Sequence, residues 1–273
     1  MAELDNVWND LLRDVMENGV DKGDRTDTGT RSVFGRQVRF DVSKDSFPII
    51  TEKKIHWNSL ITELVWFIKG KTNVEFLHEH GVGIWDQWAD ENGDVGPVYG
   101  KQWRKWEGPN GEKHDQLKTV IRNIRDNPDS RRHVVSAWNV AELDRMGLPP
   151  CHFAYQFYSK PTASGRELSV KVNQRSADAA LGVPFNFSSY ATLLILISHL
   201  TDHKPGEVIW SGGDVHIYQN HFDQVKRFLE LDQYKEPKIE LDETVSSLDG
   251  IDVSTVDLVG YEHGPFIKLP VAV

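Results

Sequence analysis

This sequence predicts a single-domain α+β fold, built on a mixed, largely antiparallel, twisted sheet flanked by helices. Three observations lead there. Strand-like alternation recurs in close succession at 133–138, 152–158 and 167–173, with turn residues between the last two. Helix-period segments stand before and after that block instead of alternating with single strands, the pattern of an α+β chain. No repeat, low-complexity stretch or linker divides the 273 residues, so 1–273 reads as one domain with ample material for a core.

The elements follow in order. Leu4, Val7, Trp8, Leu11, Leu12 and Val15 recur at helical spacing, giving an amphipathic helix over 3–18 that Asn18-Gly19 ends. A polar loop of small residues around one arginine follows at 24–30. Residues 32–42 alternate, which predicts a hairpin turning at Gly35. Residues 58–69 are strongly apolar around Glu63, a buried helix carrying one carboxylate. Residues 82–106 are rich in Gly, Asp and Trp without periodicity and read as a long functional loop. Leu117, Val120, Ile121 and Ile124 mark a helix over 115–126. After the strand block, with a tight turn at Gly165, residues 187–200 form a helix apolar on most sides and hence central. A short strand at 208–210, a helix over 216–231 and strands at 238–241 and 254–258 complete the reading.

Composition narrows the function classes. A hydrophobic fraction of 39% with 26% charged residues fits a soluble globular protein. No basic-then-apolar N-terminal segment predicts export, and the apolar run at 190–200 is too short to span a bilayer. One cysteine without an export signal points to a reducing, cytoplasmic setting without a membrane. A net charge of -10 argues against broad nucleic-acid binding, DNA included, while leaving room for a basic pocket for one small anion.

Candidate chemistry gathers around Leu148-Pro149-Pro150-Cys151-His152. A lone cysteine is either a buried small hydrophobe or a reactive thiol. The prolines stiffen the approach to a strand, and His152 offers a charge partner. Arg131 and Arg132 are a solvated surface pair or, in a loop, an anion fork. Arg175 and Ser176 suit phosphate oxygens and Asp178 a ring, unless the segment is only a strand-end turn. Asn186 and Ser188 are helix caps, or Asn186 presents a donor and an acceptor side by side, matching the edge of uracil. His216 and Tyr218, two apart, face one site if extended. No spacing suits a metal, and neither GxGxxG nor a phosphate-loop lysine motif occurs.

Taken together, these stretches resemble the thymidylate synthase family. The shared segments include DRTDTGT, ELVWF, IWDQWADENGDVGPVYGKQWR, DSRRHVVSAWN, LPPCH, NQRSADAALGVPFN, GGDVHIYQNH and the terminal PVAV, and the resemblance runs from the first helix to the last residue. The resemblance implies a thymidylate synthase/dCMP hydroxymethylase-like fold and reductive methylation of dUMP to dTMP. In that reaction Cys151 attacks carbon 6 of the pyrimidine, and methylenetetrahydrofolate is the co-substrate, without a metal. Tyr99, with water, would help remove the carbon-5 proton, and Glu63 and His152 would organise water and proton transfer. Arg25, Gln174, Arg175 and Ser176 would line the dUMP site, with Arg131 and Arg132 reaching its phosphate from the partner in a homodimer. Asn186 would select uracil, His216 and Tyr218 would hold the ribose hydroxyl, and Asp178 the pterin ring. Lys53, His56, Ile84, Trp85, Trp88, Leu181, Gly182, Phe185 and Val273 would surround the folate, with the C-terminus as a lid.

Burial on an apolar helix should raise the Glu63 pKa, and arginines near the phosphate should favour a thiolate at Cys151. Four departures from the family pattern stand out. Asp27 replaces glycine and needs a permissive backbone angle. Glu52 replaces threonine beside Lys53, where it is expected to weaken binding of the folate's glutamate tail. Asn173 replaces an aromatic residue, and Phe187-Ser188 a common Ile-Ala. Two other functions fit the same scaffold: a deoxyuridylate hydroxymethylase, in which water replaces hydride, and a non-catalytic nucleotide- or messenger-RNA-binding regulator.

Overall fold

The computed structural model describes residues 2–24 and 27–271. Helix α1 (Glu3–Asn18) buries Leu4, Trp8, Leu11, Leu12 and Val15, the stripe its spacing predicts. Strands β1 (Val20–Lys22) and β2 (Thr30–Asp41) follow. The hairpin expected at Gly35 does not form. β2 is one 12-residue strand that pairs with a later strand of the sheet along its whole length, from Thr30 to Asp41, and with β1 over Thr30–Ser32. Gly35 takes a positive φ of 72° within it, so the glycine is an irregularity in a continuous ladder and not a turn.

Helix α2 (Trp57–Ile68) buries nearly all of its apolar residues, as expected for 58–69. The short helix α3 (Glu75–Glu79) precedes the 82–106 region, whose first part is loop with one 3-10 turn at Asp86–Trp88. Its last part departs from expectation as helix α4 (Tyr99–Lys105). Gly and aromatic residues give that stretch little helical propensity. Packing supplies what propensity lacks: the Tyr99 and Trp103 rings lie 4.7 and 5.5 Å from Phe67 of α2. After a small hairpin of β3 (Trp106–Glu107) and β4 (Lys113–His114), helix α5 (Gln116–Asp126) starts where the Asp115 carboxylate accepts from the Lys118 N–H at 2.9 Å.

The central sheet adds β5 (Val134–Ser136), β6 (His152–Thr162), β7 (Gly165–Asp178) and β8 (Lys204–Tyr218) to β1 and β2, in the order β1-β2-β8-β7-β6-β5. β7 and β8 are parallel and the other pairings antiparallel. The parallel pair needs a long crossover, which helix α6 (Gly182–Leu200) provides. By length and composition alone α6 would suit a membrane, but its side chains are mostly buried and it is the core helix.

Two expectations after α6 fail together. The strand predicted at 208–210 runs for 15 residues, and the helix predicted over 216–231 shrinks to a 3-10 turn at Gln219–His221 and α7 (Phe222–Phe228). Gly212-Gly213 reads as a strand end, but partners on both sides carry β8 through it to Tyr218. Because β7 and β8 are parallel, their C-terminal residues Asp178 and His216 finish side by side.

The small sheet of β9 (Lys238–Leu241) and β10 (Val256–Val259) matches the last two predicted strands. The segment after it ties back across the loop before α2. Tyr261 Oη donates to Ile50 O at 2.6 Å, and the Gly264 N–H donates to Thr51 O at 2.8 Å.

Candidate active site

Cys151 sits half-buried where the loop from β5 enters β6. Its N–H donates to Tyr99 Oη at 2.8 Å, and its carbonyl accepts from the Arg175 N–H at 2.8 Å. Pro149 and Pro150 cannot donate, but their carbonyls accept from the Arg175 guanidinium at 2.8 and 3.0 Å. The Trp138 ring lies 5.4 Å from the same guanidinium. Burial pushes the Cys151 thiol up, and the nearby Arg175 charge only partly opposes it. Arg175 alone therefore does not make the thiolate the resting form.

His152 is not the thiol's charge partner. Burial pushes its imidazole down to about 3, so it is neutral at physiological pH. Its Nδ1 is hydrogen-bonded to Tyr190 Oη at 2.9 Å, and its ring stacks on Tyr99 at 4.2 Å and 19°. Tyr99 is held well above the ordinary phenol range, first by burial and then by Cys151 beside it. It stays a neutral phenol that orients its neighbours. Glu63 accepts from Trp85 Nε1 at 2.6 Å, and burial pushes its carboxyl up to about 7, as its place in α2 predicts.

Gln174 Nε2 donates to Asn186 Oδ1 at 3.1 Å and to Ser176 O at 3.0 Å. Helix α6 begins at Gly182, so Asn186 lies inside it and caps nothing. Ser188 is likewise no cap, since its hydroxyl donates to Pro48 O at 2.9 Å. His216 Nδ1 meets Asp214 Oδ1 at 3.2 Å. His216 first, with Lys22 behind it, holds the Asp214 carboxyl down to about 2. The His216 and Tyr218 rings meet edge-on at 5.2 Å.

One cavity of about 420 Å³ is lined by Cys151, Arg175, Ser176, His216, Tyr218 and Trp88, whereas Glu63, Tyr99, His152, Gln174 and Asn186 are not part of its lining. Lys22 and Asp214 line it too, and the sequence reading missed both. Their pairing joins β1 to β8, a contact no local pattern announces. Tyr190 was missed as well, although it lies one turn from Asn186 on α6. Arg131 and Arg132 are exposed on the loop before β5 and do not line this cavity. Arg25 and Val273 lie outside the described residues.

The proposed folate contacts divide. Trp85 and Trp88 meet at 5.4 Å, and Leu181, Gly182 and Phe185 open α6 nearby in sequence to Asp178. Asp178 Oδ1 accepts from the Ala180 and Leu181 N–H groups, each at 3.0 Å. Ile84 is 43% exposed, and the exposed His56 packs edge-on against Phe266 at 5.1 Å. Lys53 turns inward instead. It is buried between the Trp8 and Phe228 rings, donates to Ala180 O at 2.7 Å, and burial pushes its amine down to about 7.

The departures resolve in place. Asp27 has a φ of 56°, the permissive angle its position requires. Asn173 pairs with Ala154 and Ser211 within the sheet. Phe187 is a core ring 5.3 Å from Phe40. Glu52 cannot act on a folate tail as expected, because it is 1% exposed and accepts from Asn9 Nδ2 at 2.6 Å and Gln233 Nε2 at 3.0 Å. Among the described residues, no group of three or more His, Cys, Asp or Glu side chains is arranged to hold a metal ion.

A family model described as thymidylate synthase matches residues 6–273, a span that takes in every element of the sheet and every residue of the cavity. The chain therefore belongs to the thymidylate synthase family.

Proposed function

We propose that this protein converts dUMP to dTMP with methylenetetrahydrofolate as co-substrate, through a covalent bond between Cys151 and carbon 6 of the pyrimidine. The observation that carries the reading is one cavity holding Cys151 together with Arg175 and Ser176 on one side and His216 and Tyr218 on the other. A thiol, an anion site and a sugar site in a single cavity suit covalent chemistry on a nucleotide. Methylenetetrahydrofolate supplies the one-carbon unit and the hydride. The residues at hand fit such a molecule: Trp88 lines the cavity with Trp85 packed against it, which offers flat apolar surface, and the Asp178 carboxylate, an acceptor for ring N–H groups, ends β7 beside His216.

The roles of this chain's own residues follow. Arg175 and Ser176 bind the phosphate, joined by Arg25 and by Arg131 and Arg132 of the second copy in a homodimer. Gln174 holds Asn186, which reads the uracil edge. Sulfur gives up its proton to water and bonds to carbon 6 as the carbon 5–carbon 6 π bond opens, which leaves carbon 5 nucleophilic. After the methyl group is complete the sulfur–carbon 6 bond breaks, the ring double bond re-forms and Cys151 is released. Tyr99 orients the water that takes the carbon-5 proton, and Glu63, titrating near 7, moves protons about the ring. The packed rings of Phe67, Trp85, Trp88 and Tyr99 present apolar surface that disfavours water, which favours addition of hydride over water at the exocyclic methylene on carbon 5. Residues 1–273 act as one catalytic domain in a cytoplasmic setting.

Pure protein incubated with dUMP and methylenetetrahydrofolate should yield dihydrofolate by absorbance and dTMP by mass spectrometry. Cys151→Ala should abolish turnover while retaining dUMP binding. Hydroxymethyl-dUMP without dihydrofolate would overturn the methylation reading. Bound dUMP with no product would favour a regulator on the same scaffold.

A further inference from the structure

An amide side chain can be turned over, exchanging its donor and acceptor ends with little change of shape. For Asn186 that reversal is consequential. With Oδ1 toward the ring N–H and Nδ2 toward the 4-carbonyl it complements uracil. Reversed, it complements the ring nitrogen and 4-amino group of cytosine. Something must hold one orientation, and a flexible amide does not do so alone.

Behind Asn186 stands Gln174, 4% exposed, whose own amide is held at both ends. Trp210 Nε1 donates to Gln174 Oε1 at 2.8 Å. An indole N–H is a donor only, so the oxygen end must face it. At the other end Ser176 O, an acceptor only, takes Gln174 Nε2 at 3.0 Å. The polarity of Gln174 is thus set by two partners of single character. Its Nε2 also donates to Asn186 Oδ1 at 3.1 Å, and this leaves Asn186 with its oxygen on that side and its nitrogen on the other. The oxygen keeps a second lone pair for a ring N–H.

The indole is itself held in place. Trp210 is 1% exposed, and the Phe187 ring, next along α6 from Asn186, meets it edge-on at 5.5 Å. It lies over Gly212, where an added Cβ would come within 2.2 Å of the indole. Gly212 in turn is the β8 partner of Gln174. Trp210 is 1% exposed and its one N–H is taken up by Gln174, so it acts on the base only through that amide.

We propose that Trp210 is a specificity-determining positioning residue: its N–H fixes the polarity of Gln174, and through it that of Asn186, so that the site takes a 4-oxo pyrimidine nucleotide and rejects the 4-amino one. The proposal rests on the reading of Asn186 as the residue that meets the base.

Calorimetric binding of dUMP and dCMP to the full chain tests it, with thermal melting as a check on folding. Trp210→Phe keeps a ring and removes the donor. The dUMP-over-dCMP preference should fall on the order of tenfold, the size of one buried hydrogen bond. A purely structural role would weaken both nucleotides alike and leave the ratio unchanged, and that result in a folded variant overturns the proposal. Gln174→Glu provides a second route if Trp210→Phe does not fold. A carboxylate facing Asn186 draws its Nδ2 inward and should move the preference toward dCMP, and an unmoved ratio there overturns the proposal too. Wild-type protein that binds both nucleotides equally would instead refute Asn186 as the base reader, and the Trp210 role with it.

Discussion

Glu63 shows how one residue acquires a working pKa. A carboxyl in α2, among Leu60, Leu64 and Phe67, loses its hydration, and burial pushes it up to about 7. The Trp85 N–H opposes that shift, because it stabilises the charged form. The carboxyl is therefore mostly protonated below pH 7 and mostly charged above it. If it carries protons in turnover, the kcat profile should inflect near pH 7, and Glu63→Gln should remove the inflection while lowering kcat on the order of 10² to 10⁴-fold. Trp85→Phe should move the inflection to higher pH, because the hydrogen bond that favours the charged form is gone. An inflection near 7 that survives in Glu63→Gln would assign the titration to another group. Lys53 also titrates near 7, but its ammonium donates to Ala180 O, away from the cavity.

At the level of helices and strands, periodicity disclosed whatever was local. α1, α2, α5 and the interior of α6 follow from runs of apolar residues on a helical repeat. β8 did not, because Gly212-Gly213 speaks against a strand while pairing with β2 and β7, both far off in sequence, overrides it. The site divides the same way. Cys151, Arg175, His216 and Tyr218 stand in compact motifs, whereas Trp210–Gln174–Asn186 and Lys22–Asp214 exist only once strands are paired. Glu52 is the sharpest case, since its neighbour Lys53 suggested a surface role and the loop turns both inward. Its carboxyl lies between α1 and the 233–234 segment, and burial pushes it up to about 7 from an ordinary 4.5. Asn9 Oδ1, Gln233 Oε1 and its own Oε2 all lack donors among the described residues. Between pH 4.5 and 7 the folded chain holds a proton there that the unfolded chain has lost, so this group's contribution to stability falls as pH rises through that window. Glu52→Gln should remove that decline and raise stability at pH 8 by about 1–3 kcal/mol. Chemical denaturation of both proteins at pH 5 and pH 8 measures it. An equal gain at both pH values would place the effect in packing and not in ionisation.

At the scale of the whole molecule, the proposed phosphate site draws little charge from the described residues of its own chain. Arg175 is the one guanidinium among the described residues that line the cavity, and it spends hydrogen bonds on the Pro149 and Pro150 carbonyls. Arg131 and Arg132 are exposed beside β5, the edge strand of the sheet, with Val134 at 46% and Tyr158 at 65% exposure close by. Across β2, β8, β7 and β6, Gln37, Ser211, Asn173 and Ala154 stand in register as a row of small and polar groups. An exposed arginine pair away from its own cavity, beside apolar residues left in solvent, is the arrangement expected if each copy completes the other's phosphate site. Mixed dimers test that arrangement directly. A Cys151→Ala chain paired with an Arg131→Ala/Arg132→Ala chain has one site lacking both the thiol and the arginine pair. Its other site has the thiol from one copy and the arginines from the other. Heterodimers isolated with two affinity tags should therefore recover about half of wild-type activity per dimer, since one of two sites is whole. Activity no greater than the parents' average would place the arginine pair in its own subunit's site or outside any site, and the shared-site arrangement would be refuted.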